Sequence, residues 1–87
     1  MVIDLAGCKT KVAIHEIFRQ KLEFPEFYGA NWDAYWDAIT GLVEMPDEVE
    51  LVHWHDFAQA CPRDMQILRE IINDYSEQLP GKRITLV

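Results

Sequence analysis

PEFYGANWDAYWDAITG, residues 25–41, is the stretch that decides the fold. It opens with a turn signal at Tyr28-Gly29, which is followed by Asn31. Asparagine is among the residues that best cap a helix N-terminus, because its side-chain oxygen accepts a hydrogen bond from a free backbone N–H. The pattern therefore predicts a helix that begins directly after Asn31.

The predicted helix has an apolar stripe bordered on one side by polar residues. At about 100° per residue, Thr40, Asp33 and Asp37 fall beside a stripe that is expected to face the core. The stripe consists of Trp32, Tyr35, Trp36, Ile39, Leu42 and Val43. Asp33 and Asp37 are like charges four residues apart, which costs an isolated helix about 0.2–0.5 kcal/mol. Such a locally unfavourable choice indicates a functional role for the two aspartates.

Acidic residues dominate the middle of the chain. The protein carries 15 Asp and Glu against 8 Lys and Arg, which gives a net charge of −7. From Leu22 to Pro62 there is no Lys or Arg, and the carboxylates give this stretch a charge of −9. This balance argues against a nucleic-acid-binding protein, which needs a basic surface to neutralise phosphates. Two interpretations stay open, a solvated acidic surface or a surface for a cationic partner.

Short apolar runs alternate with helical patterns along the rest of the chain. Strands are expected at residues 2–5, 49–54 and 84–87, where β-branched and apolar residues are flanked by turn signals. Strands separated by helices favour parallel pairing through crossover connections. We therefore expect an α/β fold, a three-stranded parallel sheet packed with about four helices. A chain of 87 residues, 49% of them hydrophobic, is expected to form a single domain over residues 1–87.

Three more helices are predicted outside residues 25–41. The first follows Thr10, a suitable N-cap, and shows apolar residues at helical spacing. A short second helix is expected over residues 54–61. The third begins at Pro62, which suits the first position of a helix, and ends before Pro80-Gly81.

The two cysteines and the apolar runs bear on where the protein resides. Cys8 and Cys61 match neither a disulfide framework nor a zinc or redox motif, so both are expected to be free thiols in a reducing cytoplasm. Residues 5–8 have the form of a lipoprotein cleavage box, but no positive or apolar leader precedes them. No apolar run reaches the 18 or so residues of a membrane span. A cytoplasmic protein is expected.

Residues 25–41 resemble the signature of the barstar family, small intracellular inhibitors of secreted bacterial ribonucleases. Members of that family read close to P-E-Y-Y-G-x-N-x-D-A-L-W-D-x-L-T-G, and the expected order of strands and helices agrees over the rest of the chain. The resemblance implies an immunity protein with no enzymatic activity and no cofactor. Its partner would be a basic extracellular or toxin ribonuclease, bound by a monomer in a 1:1 complex without nucleic acid or membrane.

The resemblance also implies which residues touch the ribonuclease. Asp37 stands where the family presents a carboxylate to the phosphate-binding site of the enzyme, and Asp33 is its companion. A carboxylate aimed at the Arg, Lys and His side chains that hold phosphate would stand in for the substrate. Glu70 and Asp74 fall near a second acidic contact, of which Glu70 is the candidate. The expected contact residues are Phe27, Trp32, Asp33, Trp36, Asp37, Thr40, Gly41, Leu42 and Glu70.

The chain departs from the family pattern at several positions. Phe27 lacks the hydroxyl of the usual Tyr, Leu42 replaces a frequent aromatic residue, and Trp32 is bulkier than the common Leu. Each difference changes the fit to a partner, so the enzyme that this chain inhibits need not be the familiar guanyl-specific type. The resemblance further implies a cis bond between Met45 and Pro46.

Two other functions stay open from the residues alone. His53, His55 and Cys61 could hold a metal in a small acidic metal-binding or interaction domain, but no established zinc motif frames them. Asp33 and Asp37 could act as acid and base in a hydrolase, although no nucleophile or glycine-rich loop accompanies them. Stabilisation by zinc or any substrate turnover would favour these alternatives.

Overall fold

In the computed structural model, which describes residues 1–87, three strands form a parallel sheet in the order β1-β2-β3. They are β1 (Val2–Asp4), β2 (Glu48–Val52) and β3 (Arg83–Leu86). The register pairs Ile3 with Leu51 and Val49 with Ile84, and all four side chains are buried. Because alternate strand residues point to opposite faces, these four residues define the face that packs on the helices. The predicted strands and their parallel pairing are confirmed, with ends moved by one or two residues.

The opposite face of the sheet is open to solvent. Val2, Glu50 and Arg83, which alternate with the buried residues, are all exposed. Parallel sheets are usually covered on both faces, so this fold has two layers where three are common. The expected α/β class, a three-stranded parallel sheet with four helices, is confirmed.

The four helices are α1 (Lys11–Lys21), α2 (Trp32–Asp37), α3 (His55–Ala60) and α4 (Pro62–Gln78). The predicted caps are confirmed. Thr10 Oγ1 accepts the Ala13 N–H at 3.1 Å, and Asn31 Oδ1 accepts the Ala34 N–H at 2.8 Å. Pro62 opens α4, as its fixed backbone angle and missing N–H predict. No helix combines the length and the apolar composition that crossing a bilayer requires.

A π-helical turn, Ala38–Leu42, continues α2 and changes its phase. It closes with a hydrogen bond from the Val43 N–H to the Ala38 carbonyl, five residues back. A π-helix holds more residues per turn than an α-helix, so positions after Asp37 depart from the 100° spacing. The expectation that Leu42 faces the core was therefore wrong, since Leu42 is 53% exposed, whereas Ala38 and Ile39 of the same turn are buried.

The rest of the predicted stripe is largely confirmed. Trp32, Tyr35 and Ile39 are buried in the core, and Trp36 and Val43 are half-buried against it. Tyr35 lies at the centre of an aromatic group, with its ring centroid 4.6 Å from that of Phe18. The helical segment is thus anchored along one side, and its opposite side is free to meet a partner.

The loop between this segment and β2 does not contain the expected cis bond. No peptide bond of the chain is cis, so the bond between Met45 and Pro46 is trans and the expectation was wrong. The trans isomer is the one that X–Pro bonds favour intrinsically. The loop is held by the Lys82 ammonium, which donates to the Met45 carbonyl at 2.7 Å, and by the buried Met45 side chain.

Candidate partner-binding groove

A surface groove between α2 and α4 collects carboxylates from both helices, and we call it the acidic groove. Its volume is about 480 Å³. It is lined by Trp32, Asp33, Trp36, Asp37, Ile67, Ile71 and Asp74. None of these residues is cationic, so the field in the groove has one sign. Four of the residues expected to contact a partner meet here.

Asp33 and Asp37 form the α2 wall of the acidic groove. Both side chains are exposed, and neither takes part in an ion pair or a side-chain hydrogen bond. Asp33 lies in the first turn of α2, where the helix dipole favours a negative charge. Asp37 lies at the end of α2 and has no such compensation. Two unpaired carboxylates on one face are available to a cationic group from outside.

The two tryptophans border the groove on its apolar side. Trp32 is only 8% exposed and packs on the His15 ring, with the ring centroids 4.5 Å apart. Its indole N–H donates to Asp64 Oδ1 at 2.9 Å. Trp36 is half-buried and offers more of its ring to the groove. Trp32 is thus mainly a core residue, and Trp36 is the more accessible aromatic.

Four other predicted contacts lie beyond the two ends of α2. Phe27, in the loop before the helix, is 76% exposed, and Leu42 closes the π-helical turn after it. Gly41 is exposed, and a Cβ built on it would meet no atom within 4 Å. The Thr40 hydroxyl is already used, because it donates to the Trp36 carbonyl at 2.6 Å. Phe27, Gly41 and Leu42 are therefore open to solvent, whereas the Thr40 hydroxyl is satisfied within the helical segment.

On α4, the structure separates the two acidic residues that the sequence places near a second contact. Asp74 lines the acidic groove, whereas Glu70 lines a neighbouring groove with Pro62 and Arg63. Sequence reasoning therefore missed Asp74 as a groove residue. The signal was present in the spacing of Ile67, Ile71 and Asp74, which are four and three residues apart and share one helix face.

A buried histidine supports the loop before α2. His15 is 2% exposed, and its Nδ1 lies 2.6 Å from the Tyr28 hydroxyl. Burial, aided by the Lys11 ammonium and opposed by the Asp64 carboxylate, lowers the pKa of His15 from 6.5 to about 4. Burial also raises the pKa of the half-buried Tyr28. Both groups are neutral near pH 7, where an uncharged hydrogen bond ties the loop to α1.

The residues of the alternative metal site face separate partners. His53 Nδ1 lies 2.8 Å from Asp4 Oδ1, and the Cys61 thiol contacts the Lys9 carbonyl at 3.5 Å. The ring of His55 stacks on its neighbour Trp54, with centroids 4.0 Å apart. No group of three or more His, Cys, Asp or Glu side chains in the chain is arranged to hold a metal ion.

The chain is similar to known proteins both in its family pattern and in direct comparison with a relative. A family model described as "Barstar (barnase inhibitor)" matches residues 1–87. A protein of Bacillus subtilis (strain 168), named "Putative ribonuclease inhibitor YrdF", is 39% identical over 46 residues. Those residues are 53% of this chain and 50% of the relative, so the chain spans about half the length of the relative it matches.

Proposed function

This chain belongs to the barstar family, and we propose that it inhibits a basic bacterial ribonuclease by covering the active site of the enzyme with the acidic groove. The proteins of this family are inhibitors and not enzymes. The observation that carries the proposal is the acidic groove itself, which Asp33, Asp37 and Asp74 line with no cationic residue among them. Such a surface complements a site that is built to hold phosphate.

Charge mimicry explains how these side chains would inhibit without chemistry. A ribonuclease binds phosphate through Arg, Lys and His side chains, and carboxylate oxygens accept the same charge-assisted hydrogen bonds. We place Asp37 at the centre of the contact because it lies between Asp33 and the exposed end of the helical segment. Hot spots of protein interfaces cluster near the centre, where surrounding contacts exclude water. Asp33 and Asp74 would flank it.

The groups at the ends of the helical segment would form the border of the interface. Phe27 precedes the groove residues of α2 in the sequence and Leu42 follows them. Both are exposed apolar side chains, and each would lose water on binding. Gly41 offers bare backbone, which a partner can approach closely. Glu70, in the neighbouring groove, would contact only a partner that extends along α4.

We place the protein in the cytoplasm of the cell that makes the ribonuclease, where it would act as an immunity protein. A monomer that blocks one active site forms a 1:1 complex. The partner could be a secreted ribonuclease or a toxin delivered between competing cells, and both would present the same cationic active site.

Titration of enzyme activity tests the proposal. The panel contains barnase and other basic bacterial ribonucleases, including any encoded beside this chain. We expect activity of at least one nuclease to fall linearly to an end point at one protein per enzyme. The matched control carries Asp33→Asn and Asp37→Asn, which keep the side-chain shapes and remove both charges, and it should inhibit far more weakly. The proposal fails if no nuclease of the panel loses activity.

Gly41→Ala should move stability and affinity in opposite directions. Glycine inside a helical segment costs about 0.5–1 kcal/mol relative to alanine, and the added methyl meets open space. We expect the free energy of unfolding in urea to rise by up to about 1 kcal/mol. Affinity for the inhibited nuclease should fall by about tenfold or more, since the methyl would hold the partner away from the backbone. If Gly41→Ala binds the nuclease as tightly as the wild type does, Gly41 is not part of the interface.

Salt should slow association far more than it changes dissociation. The acidic groove steers a cationic enzyme over a distance near the screening length, about 8–10 Å at physiological ionic strength. We expect the association rate constant, measured by stopped flow, to fall by about tenfold or more between 0.02 and 0.5 M NaCl. Asp33→Asn should reduce the effect of salt on the association rate constant more than Glu50→Gln does. Glu50→Gln is an equal change of charge on the open face of the sheet. A salt-independent rate would contradict electrostatic steering.

A further inference from the structure

One side-chain hydrogen bond joins the two helices that carry the acidic groove. It runs from the Trp32 indole N–H, in the first turn of α2, to Asp64 Oδ1, in the first turn of α4, at 2.9 Å. No other side-chain hydrogen bond or ion pair links α2 to α4. The rest of their contact is packing of apolar groups, which fixes direction less strictly than a hydrogen bond does.

We propose that Asp64 is a positioning residue of the inhibitory surface: through the Trp32 indole it fixes where the α2 carboxylates stand relative to Asp74 on α4. This inference rests on the proposed function, because it assigns a role in the same groove. Asp64 does not line the groove, and no partner needs to touch it.

The surroundings of Trp32 explain why one bond can hold a helix. The indole is 8% exposed and is confined by the His15 ring at 4.5 Å and by the Tyr35 ring, edge-on, at 5.6 Å. A ring packed on several sides has one available orientation, and its N–H then points in one direction. Asp64 is half-buried where that N–H points, so the hydrogen bond is partly shielded from water. A shielded bond to a carboxylate is stronger than an exposed neutral one.

Two substitutions at Asp64 separate positioning from a direct effect of charge. Asp64 lies about 15 Å along the helix axis from Asp74, but its Oδ1 is 2.9 Å from the indole of Trp32, which lines the groove. A direct effect of charge would be lost equally in Asp64→Asn and Asp64→Ala. If Asp64 acts by positioning, removing the charge while keeping the acceptor should do little harm, and removing the acceptor should weaken inhibition.

The link depends on the indole of Trp32. A leucine or phenylalanine side chain at position 32 would have no N–H to donate. The pair Trp32 and Asp64 thus adds a directed bond to the packing between the two helices.

A mutant cycle tests the inference. The enzyme is a nuclease that the wild type inhibits. Inhibition constants are measured for three single variants, Asp64→Ala, Asp64→Asn and Trp32→Phe, and for the double variant that combines Trp32→Phe with Asp64→Ala. Asp64→Ala should weaken inhibition by about tenfold or more, and Asp64→Asn, whose amide oxygen still accepts, by less than about threefold. In the Trp32→Phe background, Asp64→Ala should add less than about twofold. Equal losses for Asn and Ala, or an Asp64→Ala effect that persists in that background, would overturn the proposal.

A second measurement needs no nuclease and keeps this inference separable from the proposed function. Hydrogen exchange of the Trp32 indole N–H and of the α2 amides is followed by NMR in the free proteins. Both should exchange about tenfold faster or more in Asp64→Ala than in the wild type or Asp64→Asn, while β2 amides stay unchanged. Unchanged exchange in Asp64→Ala would overturn the positioning role even if the protein inhibits a nuclease. If Asp64→Ala does not fold, Trp32→Phe, which removes the donor and keeps a ring, should show the same faster exchange of the α2 amides.

Discussion

Asp37→Ala should weaken inhibition of the ribonuclease by about 4 kcal/mol or more, the range of the strongest hot spots in protein interfaces, which includes an aspartate of barstar itself. The magnitude is thus carried over from the family, and the structure supplies the reason for the direction. Asp37 is exposed and unpaired in the free protein, so its removal leaves no buried group unsatisfied. In the complex, its loss would leave desolvated cationic side chains of the enzyme without a partner.

Stability should not follow affinity in this variant. Removing Asp37 relieves the repulsion with Asp33, so the free energy of unfolding should stay the same or rise by a few tenths of a kcal/mol. Inhibition constants and urea denaturation curves on the same preparation measure both quantities. Glu50→Ala, on the open face of the sheet, serves as the matched control and should leave affinity unchanged. If the Asp37→Ala variant inhibits like the wild type, or if it loses affinity only because it unfolds, Asp37 is not a binding hot spot.

Stability should fall by about 2 kcal/mol between pH 7 and pH 5 because of His15. The unfolded chain takes up a proton near the usual pKa of 6.5, whereas the buried ring resists protonation until about pH 4. The unfolded state therefore binds more protons between these values, and stability is lost as the pH falls through them. Above pH 6.5 the ring is neutral in both states, and below pH 4 it is charged in both, so the loss levels off near 3 kcal/mol, an order-of-magnitude figure.

The slope against pH, and not the absolute stability, identifies His15 as the cause. Urea denaturation at pH 7, 6 and 5 gives the slope for the wild type and for His15→Gln, which cannot titrate. The variant should lose most of the dependence, and His55→Gln, a change at an exposed histidine that forms no ion pair, should retain it. A wild type that is equally stable at pH 7 and pH 5 would contradict the assignment.

Local sequence signals predicted most of the fold. Thr10 and Asn31 are capping residues whose effect depends on the next three residues alone, and both cap as expected. Pro62 needs only its own ring geometry to open α4. The alternation of strand and helix patterns was enough to predict a parallel sheet, because the connections leave few other topologies.

Features that depend on distant parts of the chain escaped prediction. The π-helical turn that exposes Leu42 accompanies the burial of Ala38 and Ile39 in the core, and helical periodicity does not express either feature. The trans bond before Pro46 lies in a loop held by Lys82, 36 residues further along the sequence.

The candidate site shows the same division. Asp33 and Asp37 share a helix face by spacing alone, so the sequence indicated them directly. Asp74 enters the groove through the packing of α4 against α2. Asp64 lies outside the groove and reaches Trp32, which lines it, through one hydrogen bond across 32 residues of sequence. Neighbours that meet only in the folded chain leave no periodic signal in a single sequence.

NMR mapping of the complex tests the central claim most directly, that the acidic groove is the surface that meets the ribonuclease. The nuclease is one that the wild-type protein inhibits in the titration described above. It is added unlabelled to the ¹⁵N-labelled protein, and the backbone amide chemical shifts are followed to saturation. We predict that the largest changes fall on Asp33, Asp37, Gly41 and Asp74, and that Glu50 on the open face of the sheet stays unperturbed. Large changes on the open face of the sheet with an unperturbed groove would contradict the account.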